Sequence, residues 1–217
     1  MRTAVHALIR FLLLVVFGAR AREPLEEPQA IVVGNHDTHL DVFLLFSLFP
    51  LRRVGRVRAV AAEDYFGRGL RGLLARALFR TLLIPRGSGD PQGALEPVRQ
   101  ALRRGESLVV FPEGTRGEPG VLLPFKSGIG ALMEEFPRIP VYPVALRGVE
   151  RTLPKGGAVP VPFVVEIRRL SPVTGEEMVA RWGPSCRKAI AAELHDRIAA
   201  ALAGEGETDP SAGEGRT

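Results

Sequence analysis

Short apolar runs, each followed by a polar loop, most constrain how this chain of 217 residues folds. The runs occupy residues 30–35, 56–62, 82–84, 107–111, 139–148 and 163–170. Several are continuously apolar, which is typical of strands buried on both faces. Helical patterns separate them, including 41–49 before Pro50 and 90–105 between a cap at Asp90 and a stop at Gly105. This alternation predicts an α/β fold with a central, mostly parallel sheet flanked by helices.

The length favours one domain, and 46% hydrophobic residues are enough for one sizeable core. The single Cys186 cannot form an internal disulfide and is predicted to be a small buried hydrophobe. The tail from residue 204 to 217 has no large apolar residue and is predicted to be disordered.

The charge of the chain indicates an anionic partner or a solvated basic surface. The net charge is +5, and 26 of the 29 basic residues are arginine. Such a surface favours nucleic acid, anionic lipid headgroups or a phosphorylated substrate. Nucleic acid is disfavoured, because the chain has two tyrosines, one tryptophan and no recognisable nucleic-acid-binding motif.

The N-terminal stretch 4–18 is apolar but short and is interrupted by His6 and Arg10. A transmembrane helix needs about 18 or more apolar residues, so a span is disfavoured. A secretory signal fits the outline, although arginines at its cleavage end argue against it. We expect residues 1–22 to form a helix that lies in a membrane interface, with its arginines meeting anionic headgroups. The alternative is a first helix packed on the core.

The polar loops that follow the strands are the candidate site, because ligands bind at the carboxyl ends of parallel strands. The sequence NHDTHLD (35–41) follows the first run. If Asp41 hydrogen-bonds one ring nitrogen of His36, the other nitrogen is left to act as a base on a hydroxyl. Asn35 or backbone amides are candidates for stabilising an oxyanion.

The same loop allows a second interpretation, a metal-dependent hydrolase that uses His36 and His39 with Asp37 or Asp41. Such sites draw further ligands from distant loops. The remaining histidines, His6 and His195, lie on predicted helices, so this interpretation lacks completing ligands.

The sequence FPEGTR (111–116) supplies candidates for binding a phosphate-bearing substrate. Arg116 offers a bidentate fork, Gly114 allows close backbone approach and Thr115 adds donors. Glu113 repels a phosphate, so its expected partners are substrate hydroxyls or an arginine. Further candidate cations are Arg86 and Lys126.

These motifs resemble those of the glycerolipid acyltransferases, particularly the bacterial 1-acylglycerol-3-phosphate acyltransferases. Asn35, His36 and Asp41 resemble the first motif, and FPEGTR matches the third. LLIPR with Arg86 is similar to the second motif, although the positions before the arginine differ. The sequence IPVYPVAL (139–146) resembles the fourth. The resemblance covers about residues 30–150.

The resemblance implies that His36 is the catalytic base and that Asp41 orients it. It implies that Arg86, Arg116 and residues 113–115 bind the acyl acceptor and its phosphate. The acceptor would be a lysophospholipid, most simply 1-acylglycerol-3-phosphate. The donor would be acyl-coenzyme A or acyl carrier protein, with no metal or prosthetic group.

The predicted organisation is a membrane-associated helix (1–22), an acyltransferase domain (23–203) and the tail (204–217). We expect the protein at the cytoplasmic face of the cell membrane, attached peripherally or by shallow insertion. The altered second motif leaves other lyso-lipid or amino-acid-derived acceptors open. A catalytically silent module that binds anionic lipid is a further alternative.

Overall fold

The structure, a computed structural model, describes residues 2–18, 24–63, 78–85, 93–115, 117–118, 120–149 and 165–204. Its helices are α1 Arg2–Phe17, α2 Asp41–Phe46, α3 Glu96–Arg103, α4 Gly128–Glu135, α5 Gly175–Trp182 and α6 Arg187–Ala203. Its strands are β1 Ile31–Gly34, β2 Val57–Ala62, β3 Leu82–Ile84, β4 Ser107–Val110, β5 Val141–Arg147 and β6 Glu166–Arg169. Two 3-10 helices, Leu51–Arg56 and Gly93–Leu95, precede β2 and α3.

Within the described residues, the six strands form one sheet in the order β3-β2-β4-β1-β5-β6. All neighbouring pairs are parallel except β5 and β6, which are antiparallel. The central strand β1 aligns Ile31 with Leu108 of β4 and with Val141 of β5. The predicted mostly parallel sheet is therefore confirmed, and the loops after β1, β4 and β5 emerge at one edge.

The sheet separates two apolar clusters, because successive side chains of a strand point to opposite faces. Val32 contributes to the cluster that contains residues of α1 and α2. Ile31 and Val33 contribute to the cluster that contains residues of α3, α4, α5 and α6. Cys186 is 7% exposed and belongs to the second cluster, as predicted.

Two predicted helices are shorter than expected. The helix predicted over 41–49 ends at Phe46, where the Ser47 hydroxyl donates to the Leu44 carbonyl and the chain turns towards Pro50. The described part of the helix predicted over 90–105 becomes α-helical at Glu96, and Pro97 lies in its first turn, where a missing N–H costs nothing. Asp90 lies outside the described residues. Gly105, with φ of +71°, follows the helix as predicted.

The helix α1 packs on the fold through one face. His6 and Leu13 are buried, and Ile9 packs against the first cluster. Among the described helices, none combines the length and apolar character needed to cross a bilayer. At the other end, α6 closes at Gly204 in a left-handed conformation, and the tail from residue 205 lies outside the described residues.

Candidate active site

His36 and Asp41 form a hydrogen-bonded pair at the carboxyl edge of the sheet. The Nδ1 atom of His36 lies 2.9 Å from Oδ2 of Asp41. His36 follows β1 directly, and Asp41 is the first residue of α2. Gly34 helps bring the two elements together, because a Cβ there would lie 2.8 Å from a methyl group of Leu45 in α2.

The Asp41 carboxylate is buried, with its side chain 1% exposed, and is held by several further donors. Its Oδ2 accepts hydrogen bonds from the backbone N–H groups of Asp37 and Thr38, each at 2.7 Å. Its Oδ1 accepts one from the Thr38 hydroxyl at 2.9 Å. These donors offset the cost of burying a negative charge, and the N-terminus of α2 adds its favourable dipole.

This hydrogen bonding determines which nitrogen of His36 carries the proton. An ionised carboxylate has only acceptors, so the neutral ring must donate through Nδ1–H. The Nε2 atom then keeps its lone pair and can take a proton from a substrate. The His36 side chain is 21% exposed, so the ring is accessible while its partner is not.

The loop after β4 completes the support of His36. The Phe111 ring stacks on the imidazole, with centroids 4.2 Å apart and planes 19° apart. The Oε1 atom of Glu113 accepts a hydrogen bond from the backbone N–H of His36 at 2.8 Å. Residues of the first and third motifs therefore meet, as the parallel sheet predicts, and fix both the ring and the backbone of His36.

Glu113 faces inwards in this structure. It is 3% exposed, and its Oε2 accepts a hydrogen bond from the Leu123 N–H at 3.0 Å. Burial raises the pKa of its carboxyl above the ordinary value; the charge of Asp37 acts in the same direction, and the two backbone hydrogen bonds oppose it. The geometry shows a positioning role, and acceptor binding by Glu113 stays a prediction.

The Asn35 side chain is also engaged in the fold. Its Nδ2 donates to the Leu146 carbonyl and its Oδ1 accepts from the Leu146 N–H, at 3.0 and 2.8 Å. The same Nδ2 lies 3.0 Å from Oδ2 of Asp37. Asn35 therefore joins the end of β1 to β5, and its role at an oxyanion stays a prediction.

Residues 111–114 of FPEGTR form a turn, called the FPEGTR turn below, closed by a hydrogen bond from the Gly114 N–H to the Phe111 carbonyl. Gly114 has φ of +69°, and a Cβ there would lie 2.6 Å from Nζ of Lys126. The left-handed backbone favours glycine here, and the Lys126 side chain that crosses it would have to move to admit a Cβ. Thr115 and Lys126 are exposed, and Arg86 and Arg116 lie outside the described residues.

The described residues do not assemble the ligand set that a metal-dependent hydrolase needs. In the part of the chain that the structure describes, no three histidine, cysteine, aspartate or glutamate side chains converge as a metal ion requires. His39 is exposed, and His6 and His195 contact the Leu78 carbonyl and Asp196.

Sequence reasoning missed two contributors to the site, Thr38 and Phe111, and considered Asp37 only as a metal ligand. The Thr38 hydroxyl accepts from the Leu40 N–H at 3.1 Å while it donates to Asp41, so it orders the loop. A threonine three residues before an aspartate carries a local signal for such a turn. The Phe111 contact has no local signal, since it joins residues on different strands.

The fold and the site together define an α/β protein in which a buried aspartate orients an accessible histidine, a geometry suited to general-base chemistry on a hydroxyl or water. The chain belongs to the acyltransferase family, whose family model matches residues 18–147.

Among similar proteins, the 1-acyl-sn-glycerol-3-phosphate acyltransferase of Limnanthes douglasii is 31% identical over 153 residues, covering 69% of this chain and 52% of that protein. The human 1-acyl-sn-glycerol-3-phosphate acyltransferase alpha is 30% identical over 117 residues, covering 54% of this chain and 40% of that protein. This chain thus spans about half the length of the plant relative.

The fold is similar to the crystal structure of the 1-acyl-sn-glycerophosphate (LPA) acyltransferase PlsC from Thermotoga maritima. The TM-score is 0.67 at 22% identity, covering 94% of this chain and 81% of that one. At this identity the likeness supports the shared α/β architecture.

Proposed function

We propose that this protein is an O-acyltransferase that moves a fatty acyl group from a thioester to the hydroxyl of 1-acylglycerol-3-phosphate, giving phosphatidic acid. The observation that carries the proposal is the His36–Asp41 pair, with Nε2 free at an accessible edge and Nδ1 held by a buried carboxylate. The family and the names of the similar proteins support the acyl transfer and the acceptor.

The proposed reaction needs one base and no metal or prosthetic group. Nε2 of His36 removes the hydroxyl proton as the acceptor oxygen attacks the thioester carbonyl. Asp41 stabilises the imidazolium that forms. The new ester C–O bond forms, the C–S bond breaks, and the imidazolium returns its proton to the thiolate.

The phosphate of the acceptor is assigned to the FPEGTR turn and its surroundings. Lys126 crosses Gly114 at the surface of this turn, so a cation is already present there. Arg116, Arg86 and Thr115 are proposed to complete the binding of phosphate, as the resemblance implies. The donor carrier is coenzyme A or acyl carrier protein.

We further propose that the protein attaches to anionic membrane at its cytoplasmic face through α1. The apolar residues Leu8, Phe11, Leu12 and Val15 are 58%, 60%, 47% and 63% exposed. Their spacing of three and four residues places them on one helix face, the pattern of an interfacial helix. The attachment would bring the active site to an acceptor whose acyl chain resides in the bilayer.

Arg10 does not serve this attachment, contrary to the expectation that it meets headgroups. Its guanidinium donates to the carbonyls of Phe46, the last residue of α2, and of Phe49, three residues further on. Carbonyls at a helix C-terminus attract a cation, so the arginine is drawn towards the protein. The outer face of α1 is consequently apolar without interruption by Arg10.

A lysophospholipid panel tests the proposed function. Purified protein is incubated with lysophospholipids of different headgroup and with acyl-coenzyme A or acyl carrier protein donors, and products are read by mass spectrometry. We expect phosphatidic acid from 1-acylglycerol-3-phosphate and none from His36→Ala. Transfer to a different lyso-lipid alone would correct the acceptor. Vesicle binding without turnover would favour the silent lipid-binding module, and chelator-sensitive hydrolysis would favour the hydrolase.

A further inference from the structure

The Asp37 side chain lies beside the His36–Asp41 pair, and the proposed reaction gives it no role. Its Oδ2 accepts a hydrogen bond from Nδ2 of Asn35 at 3.0 Å, and its Oδ1 accepts one from the Gly120 N–H at 3.1 Å. A carboxylate held at both oxygens cannot turn without breaking a hydrogen bond. Asp37 follows His36 directly in the chain, so its anchoring also restrains the loop that carries the base.

The contact with Asn35 ties Asp37 to the sheet. The same Nδ2 donates to the Leu146 carbonyl at 3.0 Å, and the Asn35 Oδ1 accepts from the Leu146 N–H at 2.8 Å. A primary amide has two N–H groups, so Asp37 and Leu146 accept one each and the orientation of the amide is fixed. Asn35 is 3% exposed and Leu146 is 1% exposed. Asp37 is therefore anchored to β5 through a buried side chain.

The contact with Gly120 ties Asp37 to the segment 120–123, which follows the FPEGTR turn. The N–H of Gly120, at the start of this segment, donates to Asp37. The N–H of Leu123, at its end, donates to Oε2 of Glu113 at 3.0 Å. Gly120 has φ of +78°, a conformation that glycine adopts without strain. Two carboxylates from different loops therefore hold the two ends of one short segment.

Asp37 and Glu113 both border His36. Asp37 is its neighbour in the chain, and Oε1 of Glu113 accepts a hydrogen bond from the His36 N–H at 2.8 Å. Burial raises the pKa of the Glu113 carboxyl, and the charge of Asp37 adds to this, so the two carboxylates lie within electrostatic reach of each other. The segment 120–123 and the His36 backbone thus share the same two neighbours.

The backbone of Asp37 also orients Asp41. The N–H groups of Asp37 and Thr38 each donate to Oδ2 of Asp41 at 2.7 Å, and the same oxygen lies 2.9 Å from Nδ1 of His36. The two peptide groups flank the Cα of Asp37, and each peptide group is planar. A rotation about the backbone bonds of Asp37 would therefore turn one donor away from the other, and the anchored side chain opposes that rotation.

We propose that Asp37 is a positioning residue for the His36–Asp41 pair. Its carboxylate and that of Glu113 clamp the segment 120–123 against the loop after β1, and this clamp holds the two N–H groups that orient Asp41. The effect on turnover rests on the proposed function, whereas the orientation of Asp41 does not depend on which substrate binds.

Steady-state kinetics of two Asp37 variants test the effect on turnover. Asp37→Ala removes both side-chain hydrogen bonds and leaves the N–H of residue 37 in place. A misplacement of about 1 Å can cost about 10²-fold in rate, so we expect kcat to fall by about 10–100-fold with the KM of both substrates unchanged. Asp37→Asn keeps one acceptor oxygen of two, so we expect a smaller loss. It repeats the test if the alanine variant does not fold.

Asp196→Asn is the matched control for the loss of a carboxylate. Asp196 also lies beside a histidine, 2.9 Å from Nδ1 of His195, but it is on α6 and its side chain is 78% exposed. This variant should leave kcat and both KM values unchanged. A raised acceptor KM with unchanged kcat in the Asp37 variants would show that Asp37 binds the acceptor, and would overturn the positioning role.

The proton on Nδ1 of His36 reports on the pair directly and without substrate. Its NMR resonance is assigned by its absence from His36→Ala, and its exchange with water is measured in the full chain. We expect a shifted resonance and faster exchange in Asp37→Ala, and wild-type behaviour in Asp196→Asn. A merely structural role would lower the melting temperature and leave this resonance unchanged, which would overturn the inference.

A double-mutant cycle tests the clamp. Asp37 and Glu113 hold opposite ends of one segment, and residues that act as a unit have non-additive effects. We expect the variant that combines Asp37→Ala with Glu113→Gln to lose less kcat than the product of the two single losses. Losses that multiply would show that the two carboxylates act independently, and would overturn the clamp.

The resonance separates this inference from the proposed function. If the wild type transfers no acyl group to any lysophospholipid, the proposed function is refuted, and an altered resonance in the Asp37 variants still upholds the orientation of Asp41 by Asp37. Unaltered resonance and kcat in both Asp37 variants would overturn the inference and leave acyl transfer by the wild type standing.

Discussion

In the His36–Asp41 pair, called the dyad below, both oxygens of the Asp41 carboxylate are hydrogen-bonded within the protein. The outer face of α1, in contrast, leaves large apolar side chains in solvent. Asp41 is completely buried and accepts from His36, Asp37 and Thr38. Phe11 and Val15 of α1 are 60% and 63% exposed. The two regions flank the same apolar cluster, since α2 and α1 both pack into it.

The comparison distinguishes polar groups whose hydrogen bonds are satisfied within the fold from apolar side chains that the fold leaves exposed. Buried polar groups must be satisfied when the protein folds, so the dyad is preorganised without substrate. Exposed apolar side chains at helical spacing gain nothing from the fold and mark a surface for association. We therefore expect a change at the dyad to reduce activity, and a change on the outer face of α1 to reduce membrane binding without unfolding the protein.

The largest expected effect is at the dyad. His36→Ala should lower kcat by about 10²–10⁴-fold, the usual contribution of a general base, with thermal stability little changed. His39→Ala removes an exposed histidine three residues away and is the matched control. Steady-state kinetics and melting curves measure both. Equal loss of activity in the two variants would contradict the separate role of His36.

The second effect concerns the outer face of α1. Changing Leu8, Phe11 and Val15 together to serine should weaken binding to anionic vesicles by about two orders of magnitude or more. A fully buried side chain contributes about 1.5–3 kcal/mol, and these three are 58–63% exposed, so each contributes about 1–2 kcal/mol when its exposed part leaves water. Co-sedimentation at low and high salt measures this. Activity on a short-chain, soluble acceptor should survive.

Trp182→Ser is the control for α1, since Trp182 is 53% exposed on α5. It should leave vesicle binding unchanged. If the triple variant binds vesicles as well as the wild type, the proposal that α1 attaches the protein to the membrane is wrong.

A third effect tests whether Glu113 positions His36. Glu113→Gln leaves one acceptor oxygen for two backbone N–H donors, those of His36 and Leu123. The lost hydrogen bond and the buried donor left without an acceptor should cost about 1–3 kcal/mol of unfolding free energy. Urea denaturation measures it. A lower kcat at unchanged acceptor KM would support the positioning of His36 by Glu113. A raised acceptor KM would indicate instead that Glu113 binds the acceptor.

The same variant has a distinct pH signature. Burial raises the pKa of the Glu113 carboxyl above 4.5, so the folded state holds this proton more tightly than the unfolded state. Its contribution to stability is therefore present at low pH and is lost as pH rises through the folded pKa. Glu113→Gln cannot titrate, so this fall should disappear from its stability profile.

The smallest effect concerns the inner face of α1. His6 is 3% exposed, lies 3.3 Å from the Leu78 carbonyl through Nε2 and stacks on Phe46. Burial lowers the pKa of His6 below 6.5; the hydrogen bond to Leu78 opposes this, and the Arg10 charge adds to it. The stability linked to His6 is therefore present above pH 6.5 and is lost as pH falls through the folded pKa.

His6→Phe should keep the aromatic contact and remove this acid sensitivity. Hydrogen exchange of α1 amides at neutral and acidic pH measures it. Acid-enhanced exchange that persists in the variant would assign the sensitivity to another group.

The sequence by itself determined the strands and the dyad, because both rest on local patterns. Apolar runs bounded by polar loops identify β1, β2, β4 and β5, and the five-residue spacing of His36 and Asp41 spans one strand-to-helix turn. Neither depends on how distant segments pack. The limits of short helices such as α2 were less predictable, since their ends follow from tertiary contacts.

Only the tertiary structure decided which residues support the dyad and which face of α1 is exposed. The Glu113 hydrogen bond to the His36 N–H joins residues 77 positions apart, and it exists because β4 pairs with β1. The sequence of α1 is apolar on most sides, so its periodicity does not select a face. The carbonyls at the end of α2 select it by binding Arg10, which turns Leu8, Phe11 and Val15 outwards. Both outcomes follow from partners that are distant in sequence, whose positions no local pattern encodes.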